Sequence, residues 1–206
     1  MKIFKLLFLI LTLTSCKENN KSNTLEKVKA TETGTTDLPN NELITKSENG
    51  RDGTFLCTIN GNDWAYTKAS GIVDTHAKTK KRTAIITFTK QLEKGKETVQ
   101  LFYDAQSKTL EQVSIHLKVT KNDGKTMTAM YIYHPDTNHF HPNAKISGTV
   151  DLSNPTSASG KAEISELDAR FDKNDITNAQ DKLITVENLN FKGVGYSDLD
   201  KVFSSK

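Results

Sequence analysis

The sequence predicts an all-β fold, an antiparallel β-sandwich or β-barrel of about nine to ten strands with a short C-terminal helix. Two observations predict it. Most segments after residue 54 place apolar residues at every second position, as half-buried strands do. Turn signals rich in Gly, Asn and Asp separate these segments, and little of the chain shows the 3.6-residue period of an amphipathic helix. The pattern leaves the sandwich and the barrel both open.

The first predicted strands form a hairpin. A period-two run over residues 54–59 ends at Asn60-Gly61, a strong signal for a two-residue turn, and the alternation resumes over 62–66. Cys57 lies inside the first run, between two uncharged residues. We therefore predict that Cys57 is a small buried hydrophobe rather than a reactive thiol.

Four further strands are predicted in the middle of the chain, because β-branched and apolar residues alternate with polar ones there. They cover residues 83–90, 98–103, 113–119 and 126–133. Gly95 marks the turn between the first two of these strands. The segment Asn122-Asp123-Gly124-Lys125 marks a second turn, so the last two strands are predicted to form a hairpin.

Two segments near the C-terminus are predicted to contain β-bulges. Within 161–172 the apolar residues change from even to odd positions after Ile164, and within 184–191 they change after Val186. One extra residue that moves the side chains to the other face is what a β-bulge inserts. Two bulges suit strands that bend around a closed or strongly curved sheet.

The remaining elements follow from simpler signals. A strand is predicted over residues 146–152, a loop over 153–160, and a single helical turn within 172–181. Residues 197–203 are predicted to form the C-terminal helix, with Ser197 as its N-cap and acidic residues in its first turn.

The N-terminus reads as a signal peptide. Lys2 and Lys5 precede an apolar run over residues 6–13, which is too short to cross a bilayer of about 30 Å as a helix. The run ends in Leu13-Thr14-Ser15-Cys16, which resembles the bacterial lipobox. No Ala-x-Ala cleavage site lies nearby. The resemblance implies that Cys16 carries lipid, begins the mature chain and anchors it to a membrane.

Composition divides the chain into three parts: a signal peptide (1–15), a lipidated cysteine with a flexible tether (16–53) and a single β-domain (54–206). The tether has no aromatic residue and few large apolar ones, so it cannot bury enough surface to offset the entropy of ordering. Removing the leader lowers the 28 basic residues by two to 26, against 25 acidic ones. Balanced charge gives no reason to expect a nucleic-acid partner.

Three stretches carry a family resemblance: residues 16–20 (Cys-Lys-Glu-Asn-Asn), residues 60–64 (Asn-Gly-Asn-Asp-Trp), and residues 146–150 with the later strand over 160–171. With them the chain resembles the small β-rich envelope lipoproteins of Bacteroidetes. The resemblance implies an outer-membrane lipoprotein of the cell envelope, and it brings no catalytic residues. In that group acid-rich tracts after the cysteine direct export to the surface; here only Glu18 is acidic, so the periplasmic and the cell-surface face both stay open.

The densest set of candidate ligands is the segment 134–142, which holds three of the five histidines. His134, Asp136, His139 and His141 are the candidate metal ligands, since imidazole and carboxylate suit a divalent metal such as Zn²⁺. The spacing matches no established metal motif, and an exposed polar loop explains the same residues. Otherwise the sequence predicts no cofactor.

Four large aromatic residues are candidates for ligand binding: Trp64, Tyr66, Tyr131 and Tyr133. Aromatic rings on the open face of a sheet stack on sugars or line a cavity, although the same residues also pack sheet cores. His116 is predicted on the polar face of its strand, where an exposed surface histidine is the simplest interpretation.

The sequence holds no motif of a catalytic serine, zinc protease or P-loop, and no catalytic residue is predicted. The acidic stretch Glu163, Glu166, Asp168 and Asp172 is typical of a solvated strand face. We therefore expect a non-enzymatic, membrane-anchored envelope lipoprotein whose β-domain binds an unknown protein or small molecule, or has a structural role. The alternatives are a lipocalin-like carrier of a small apolar ligand, a metal-binding lipoprotein using the loop at 134–141, and a hydrolase whose site the sequence does not reveal.

Overall fold

The computed structural model describes residues 44–46, 52–170 and 173–204. This part of the chain forms eleven β-strands, three short 3-10 helices and one α-helix, so the all-β prediction is confirmed. The signal peptide, Cys16 and most of the predicted tether lie outside the described residues, and so do Phe171 and Asp172.

The strands follow one another along the chain with short connections. In order they are β1 Ile44–Lys46, β2 Asp52–Ile59, β3 Asn62–Tyr66, β4 Lys68–Thr75, β5 Arg82–Gln91, β6 Lys96–Asp104, β7 Leu110–Thr120, β8 Thr126–Tyr133, β9 Lys145–Asp151, β10 Ser157–Asp168 and β11 Leu183–Asp198. The 3-10 helices cover Pro135–Phe140, Lys173–Asp175 and Ala179–Lys182, and helix α1 covers Leu199–Ser204.

Two groups of strands share β11. Strands β4 to β8 form an antiparallel meander in which each strand pairs with the next along the chain. The other group holds the β2–β3 hairpin and the ladder β9–β10–β11, with β1 paired to the start of β2. The first part of β11 pairs with β10 and with the end of β2, and its last part pairs with β4.

The sheet is mixed rather than wholly antiparallel, which corrects the prediction on this point. Residues Tyr196 to Asp198 of β11 run parallel to Gly71 to Val73 of β4. A period of two is the same in both orientations, so the sequence pattern could not reveal the parallel pair. The described sheet does not close, and β8 meets the end of β10 through one isolated bridge between Tyr131 and Ala169.

The predicted hairpin turns are confirmed. Asn60 and Gly61 have φ angles of 49° and 78°, which is the positive-φ pair of a type I′ turn. Gly124 has a φ of 78° in the turn that joins β7 to β8, and Gly95 has a φ of 92° in the turn between β5 and β6. These positions require glycine or asparagine because other side chains are strained there.

Both predicted β-bulges are present in the β10–β11 ladder. Ile164 and Leu167 of β10 face Val186 and Ile184, so β10 carries one extra residue there, and Glu166 has a φ of 54°. On β11 the extra residue falls between Val186 and Leu189, where Asn188 has a φ of 58°. These insertions move the apolar side chains to the other face, as the change of parity indicated.

Several boundaries differ from the prediction. Strand β4 was not predicted, and β1 lies within the range assigned to the tether. Strand β10 begins at Ser157, inside the predicted loop over 153–160. Helix α1 begins at Leu199 rather than Ser197, because β11 continues to Asp198 in its ladder with β4. These segments are polar or short, and backbone pairing sets their conformation rather than their side-chain pattern.

One continuous apolar core lies beneath the strands. Its largest fully buried side chains include Tyr103, Tyr131 and Phe88. The hydroxyl of Tyr103 donates a hydrogen bond of 3.1 Å to the carbonyl oxygen of Lys161, so burial does not leave it unpaired. Cys57 is fully buried, which confirms its predicted role, and this burial raises the pKa of its thiol to about 12.

Glycine lets the backbones of β9 and β10 come close. A Cβ atom at Gly148 would lie 2.4 Å from the carbonyl oxygen of Lys161 and 3.0 Å from the Cα of Ala162. Backbone atoms cannot move aside as a flexible side chain can. At Gly195 of β11, in contrast, an added Cβ would meet no atom within 4 Å.

We therefore predict that Gly148→Ala destabilises the protein by about 1–3 kcal/mol, the usual range for forcing extra volume into a packed site. Gly195→Ala should change the free energy of unfolding by no more than about 0.5 kcal/mol. Urea denaturation followed by the fluorescence of Trp64, the single tryptophan, measures both variants. Equal stability of the two variants would show that β9 and β10 do not approach in this way.

Candidate functional site

The largest surface depression crosses the β9–β10–β11 ladder, at the two bulges. It has a volume of about 700 Å³ and is lined by residues 145–147 of β9, 163–165 of β10 and 185–188 of β11. We call it the bulge groove. Because a bulge bends its strand and increases the local twist, two bulges on neighbouring strands account for a concave surface here.

The groove is polar at its rim. Ser147 faces Glu163 across the β9–β10 ladder, and Lys145 faces Ser165. Together with the exposed Glu187 of β11, this gives two carboxylates, one ammonium and two hydroxyls on one surface. Such a surface offers hydrogen-bond donors and acceptors to a polar ligand or to a peptide. The carboxylates here are solvated, so the geometry is suited to binding.

Backbone and side-chain contacts hold the groove in shape from below. Ile164 and Val186 pair directly across the β10–β11 ladder and are 1% exposed, so their side chains belong to the core. The side chain of Asn60 accepts a hydrogen bond of 2.8 Å from the backbone nitrogen of Thr185 and donates one of 3.1 Å to the carbonyl oxygen of Leu183. The β2–β3 turn thus fixes the start of β11.

A second cavity, of about 220 Å³, lies beside Trp64 at the end of the sheet. The indole Nε1 of Trp64 donates a hydrogen bond of 2.9 Å to Glu97 Oε2, and the backbone nitrogen of Lys118 donates one of 3.0 Å to Glu97 Oε1. Lys90 Nζ lies 3.8 Å from the same carboxylate. Asp181 also lines this cavity, and burial raises the pKa of its carboxyl.

The structure separates the four aromatic residues proposed for ligand binding. Trp64 lines the cavity just described, while Tyr131 is fully buried and donates a hydrogen bond from its hydroxyl to the carbonyl oxygen of Asp181. Tyr66 and Tyr133 are half-buried and pack against the core, where the ring of Tyr66 lies 5.1 Å from that of Phe88. Ligand binding by these residues stays a prediction.

The histidine loop contains the 3-10 helix Pro135–Phe140. The backbone nitrogen of Asp136 donates a hydrogen bond of 3.1 Å to His134 Nδ1, and the carboxylate of Asp136 lies 3.7 Å from the same atom. His139 is exposed, whereas His141 is buried. Within the described residues, no three His, Cys, Asp or Glu side chains are arranged to hold a metal ion. A metal site formed by these four residues stays a prediction.

His141 is the most constrained of these histidines. It is 5% exposed, and its Nδ1 atom has no hydrogen-bond partner in the described part of the chain. Burial lowers the pKa of its imidazole; Asp168 opposes this shift, while Arg170 and Lys173 add to it. The ring is therefore held neutral among apolar neighbours.

His116 lies on the outer face of β7, as predicted. Its Nε2 atom is 3.2 Å from Ser114 Oγ, two residues away on the same face. Burial and, to a smaller extent, Lys96 lower the pKa of His116. A serine next to a histidine needs an oxyanion site and a shaped cavity to act as a nucleophile. The described geometry shows the pair on a sheet face and assigns it no such role.

The acidic stretch of β10 divides between solvent and an ion pair. Glu163 and Glu166 are exposed, and Asp168 forms an ion pair with Lys173. Asp172 lies outside the described residues. The sequence missed the bulge groove as a site, although the change of parity at its two bulges marked the strands that form it.

Comparisons with known family models, with curated proteins and with solved structures found no match for this chain. In the described residues, no helix is long and apolar enough to cross a membrane. The resemblance to Bacteroidetes lipoproteins therefore stays a prediction that rests on the sequence stretches quoted above.

We predict that His141 makes stability fall in mild acid. Its pKa is lowered in the folded state, so the unfolded chain takes up a proton first, near the ordinary value of about 6.5. Stability present above that pH is then lost as the pH falls below it. Urea denaturation between about pH 7 and pH 5 should show a smaller loss for His141→Leu than for the wild type.

The matched control is His139→Leu, which removes an exposed histidine from the same loop. It should keep the full loss of stability in acid. An unchanged pH dependence in the His141 variant would contradict the burial of a neutral imidazole at this position.

Proposed function

We propose that this protein is a lipoprotein of the bacterial cell envelope, held at the outer membrane by lipid on Cys16, whose β-domain binds a partner without catalysing a reaction. The observation that carries the proposal is the sequence Leu13-Thr14-Ser15-Cys16 after a short apolar run, ahead of a β-domain with its own continuous core. The partner is a protein or a small molecule. The periplasmic and the cell-surface face both remain open.

The anchor is supported by simple energetics. Each buried lipid methylene contributes about 0.8 kcal/mol, so a cysteine with several acyl chains holds a protein firmly where a single chain would not. A tether of 37 residues (17–53) behaving as a flexible coil would span roughly 35 Å root-mean-square. The proposed arrangement thus places the binding domain clear of the membrane surface.

The binding role is supported by the bulge groove. Non-glycine residues at positive φ, such as Glu166 and Asn188, are strained, and strained positions cluster at functional sites. Both lie next to the groove, whose volume of about 700 Å³ is within the range of ligand sites. The groove is our first candidate for the partner's contact surface.

A lipocalin-like carrier is the runner-up. That reading requires room for a ligand inside the sheet, whereas Tyr103, Tyr131 and Phe88 occupy the interior as fully buried side chains. This packing favours a surface site over an interior one.

We predict that Cys16→Ser abolishes lipid attachment, because serine has no thiol to form the thioether. Metabolic labelling with a fatty-acid analogue, followed by mass spectrometry of the N-terminal peptide, measures it. Cys57→Ala is the matched control, since it removes the only other cysteine and leaves the lipobox intact. A wild-type chain without lipid, or with a mature N-terminus at another residue, would refute the anchor.

A further inference from the structure

A buried carboxylate at the end of β11 has unused hydrogen-bonding capacity. The side chain of Asp198 is 7% exposed. Its Oδ2 atom accepts a hydrogen bond from Arg82 and lies 3.5 Å from Lys201 Nζ, while Oδ1 is buried and has no partner in the described residues. Leaving such an acceptor unpaired costs about 1–3 kcal/mol. The Arg82 ion pair lowers the pKa of Asp198, so the group is ionised at neutral pH.

Asp198 forms part of the wall of a cavity of about 220 Å³, which we call the Asp198 pocket. One side of the pocket is apolar, with Val73, Leu152 and the ring of Tyr196. The volume corresponds to about seven water molecules at their share of liquid volume, which suits a compact ligand such as a monosaccharide.

The pocket carries more positive than negative charge. Arg82, Lys108 and Lys201 line it together with the single carboxylate of Asp198. Arg82 and Lys201 are engaged with Asp198, whereas Lys108 is exposed and takes part in no ion pair of the described residues.

Lys108 is fixed at its backbone on both sides. Its nitrogen donates to the carbonyl oxygen of Asp104 at 2.8 Å, and its own carbonyl oxygen accepts from the nitrogen of Val150 at 3.0 Å. Its φ angle of 60° belongs to the tight turn between β6 and β7. The fold therefore holds the base of this cationic side chain at the rim of the pocket.

These features select among ligand chemistries. A bare anion such as phosphate would place its charge beside Asp198 and satisfy no acceptor. An ammonium group at Oδ1 would be repelled by the two cations at Oδ2. A neutral hydroxyl donates to Oδ1 without either penalty, while a carboxylate elsewhere on the same ligand can pair with Lys108.

We propose that the Asp198 pocket binds a small hydroxylated acid of the hexuronate class, with a hydroxyl donating to Asp198 Oδ1 and the carboxylate held by Lys108. The apolar face of the sugar ring packs on Tyr196 and Leu152. Lys201 covers the site with a side chain that is 70% exposed, so it can move aside at small cost. The inference is independent of lipid on Cys16 and of the bulge groove.

Isothermal titration calorimetry of the full-length protein in mild detergent with D-glucuronate tests the proposal. Glucose, which lacks the carboxylate, and acetate, which lacks the hydroxyls, are the ligand controls. We expect saturable binding of glucuronate and at least about tenfold weaker binding of each control. Absence of glucuronate binding, or equal binding of acetate, would overturn the proposal.

The protein controls use exposed lysines. Lys108→Ala should weaken glucuronate binding about tenfold, whereas Lys94→Ala, at an exposed site in the turn between β5 and β6, should leave it unchanged. Asp198→Asn keeps the shape of the side chain and should also weaken binding, with circular dichroism used to verify its fold. If Lys108→Ala binds glucuronate as tightly as the wild type does, the ligand is not held in this pocket.

Discussion

The structure depends on β11 serving both groups of strands. Its first part pairs with β10 and β2, and its last part runs parallel to β4, so one strand transmits the position of the bulge groove to the meander. The parallel contact is close. A Cβ atom at Gly71 would lie 2.8 Å from the Cβ of Tyr196 and 2.9 Å from the Cδ1 of Ile86. Only glycine allows this approach, and without it the two groups of strands could not share a core.

Bulges turn this shared strand into a surface with a shape. A regular ladder keeps every second side chain on the same face, whereas the inserted residues at Glu166 and Asn188 exchange the faces and bend the strands. Positive φ at such residues is costly, of the order of 1–3 kcal/mol each. The burial of Ile164, Leu167 and Val186 on either side of the bulges offsets that cost by removing their side chains from water.

Buried polar groups show where the fold is complete and where it leaves capacity for a partner. The carboxylate of Glu97 accepts from Trp64 and from the backbone of Lys118, so it is paired at both oxygens. Among the described residues, His141 Nδ1 and Asp198 Oδ1 are the two buried side-chain atoms without a partner. The first lies under a loop and the second lines a cavity, which is why only the second suggests a ligand.

The sequence by itself determined the all-β class, the type I′ turn at Asn60-Gly61, the buried role of Cys57 and the strands that carry the bulges, because each of these follows from local conformational preference or period-two burial. It also carried the whole argument for the lipid anchor. Only the tertiary structure decided the parallel pairing of β4 with β11, the bulge groove and the meeting of Arg82 with Asp198, which are 116 positions apart in the chain. These features depend on contacts between distant segments, and the side-chain pattern of a strand specifies which face is buried but not which strand lies beside it.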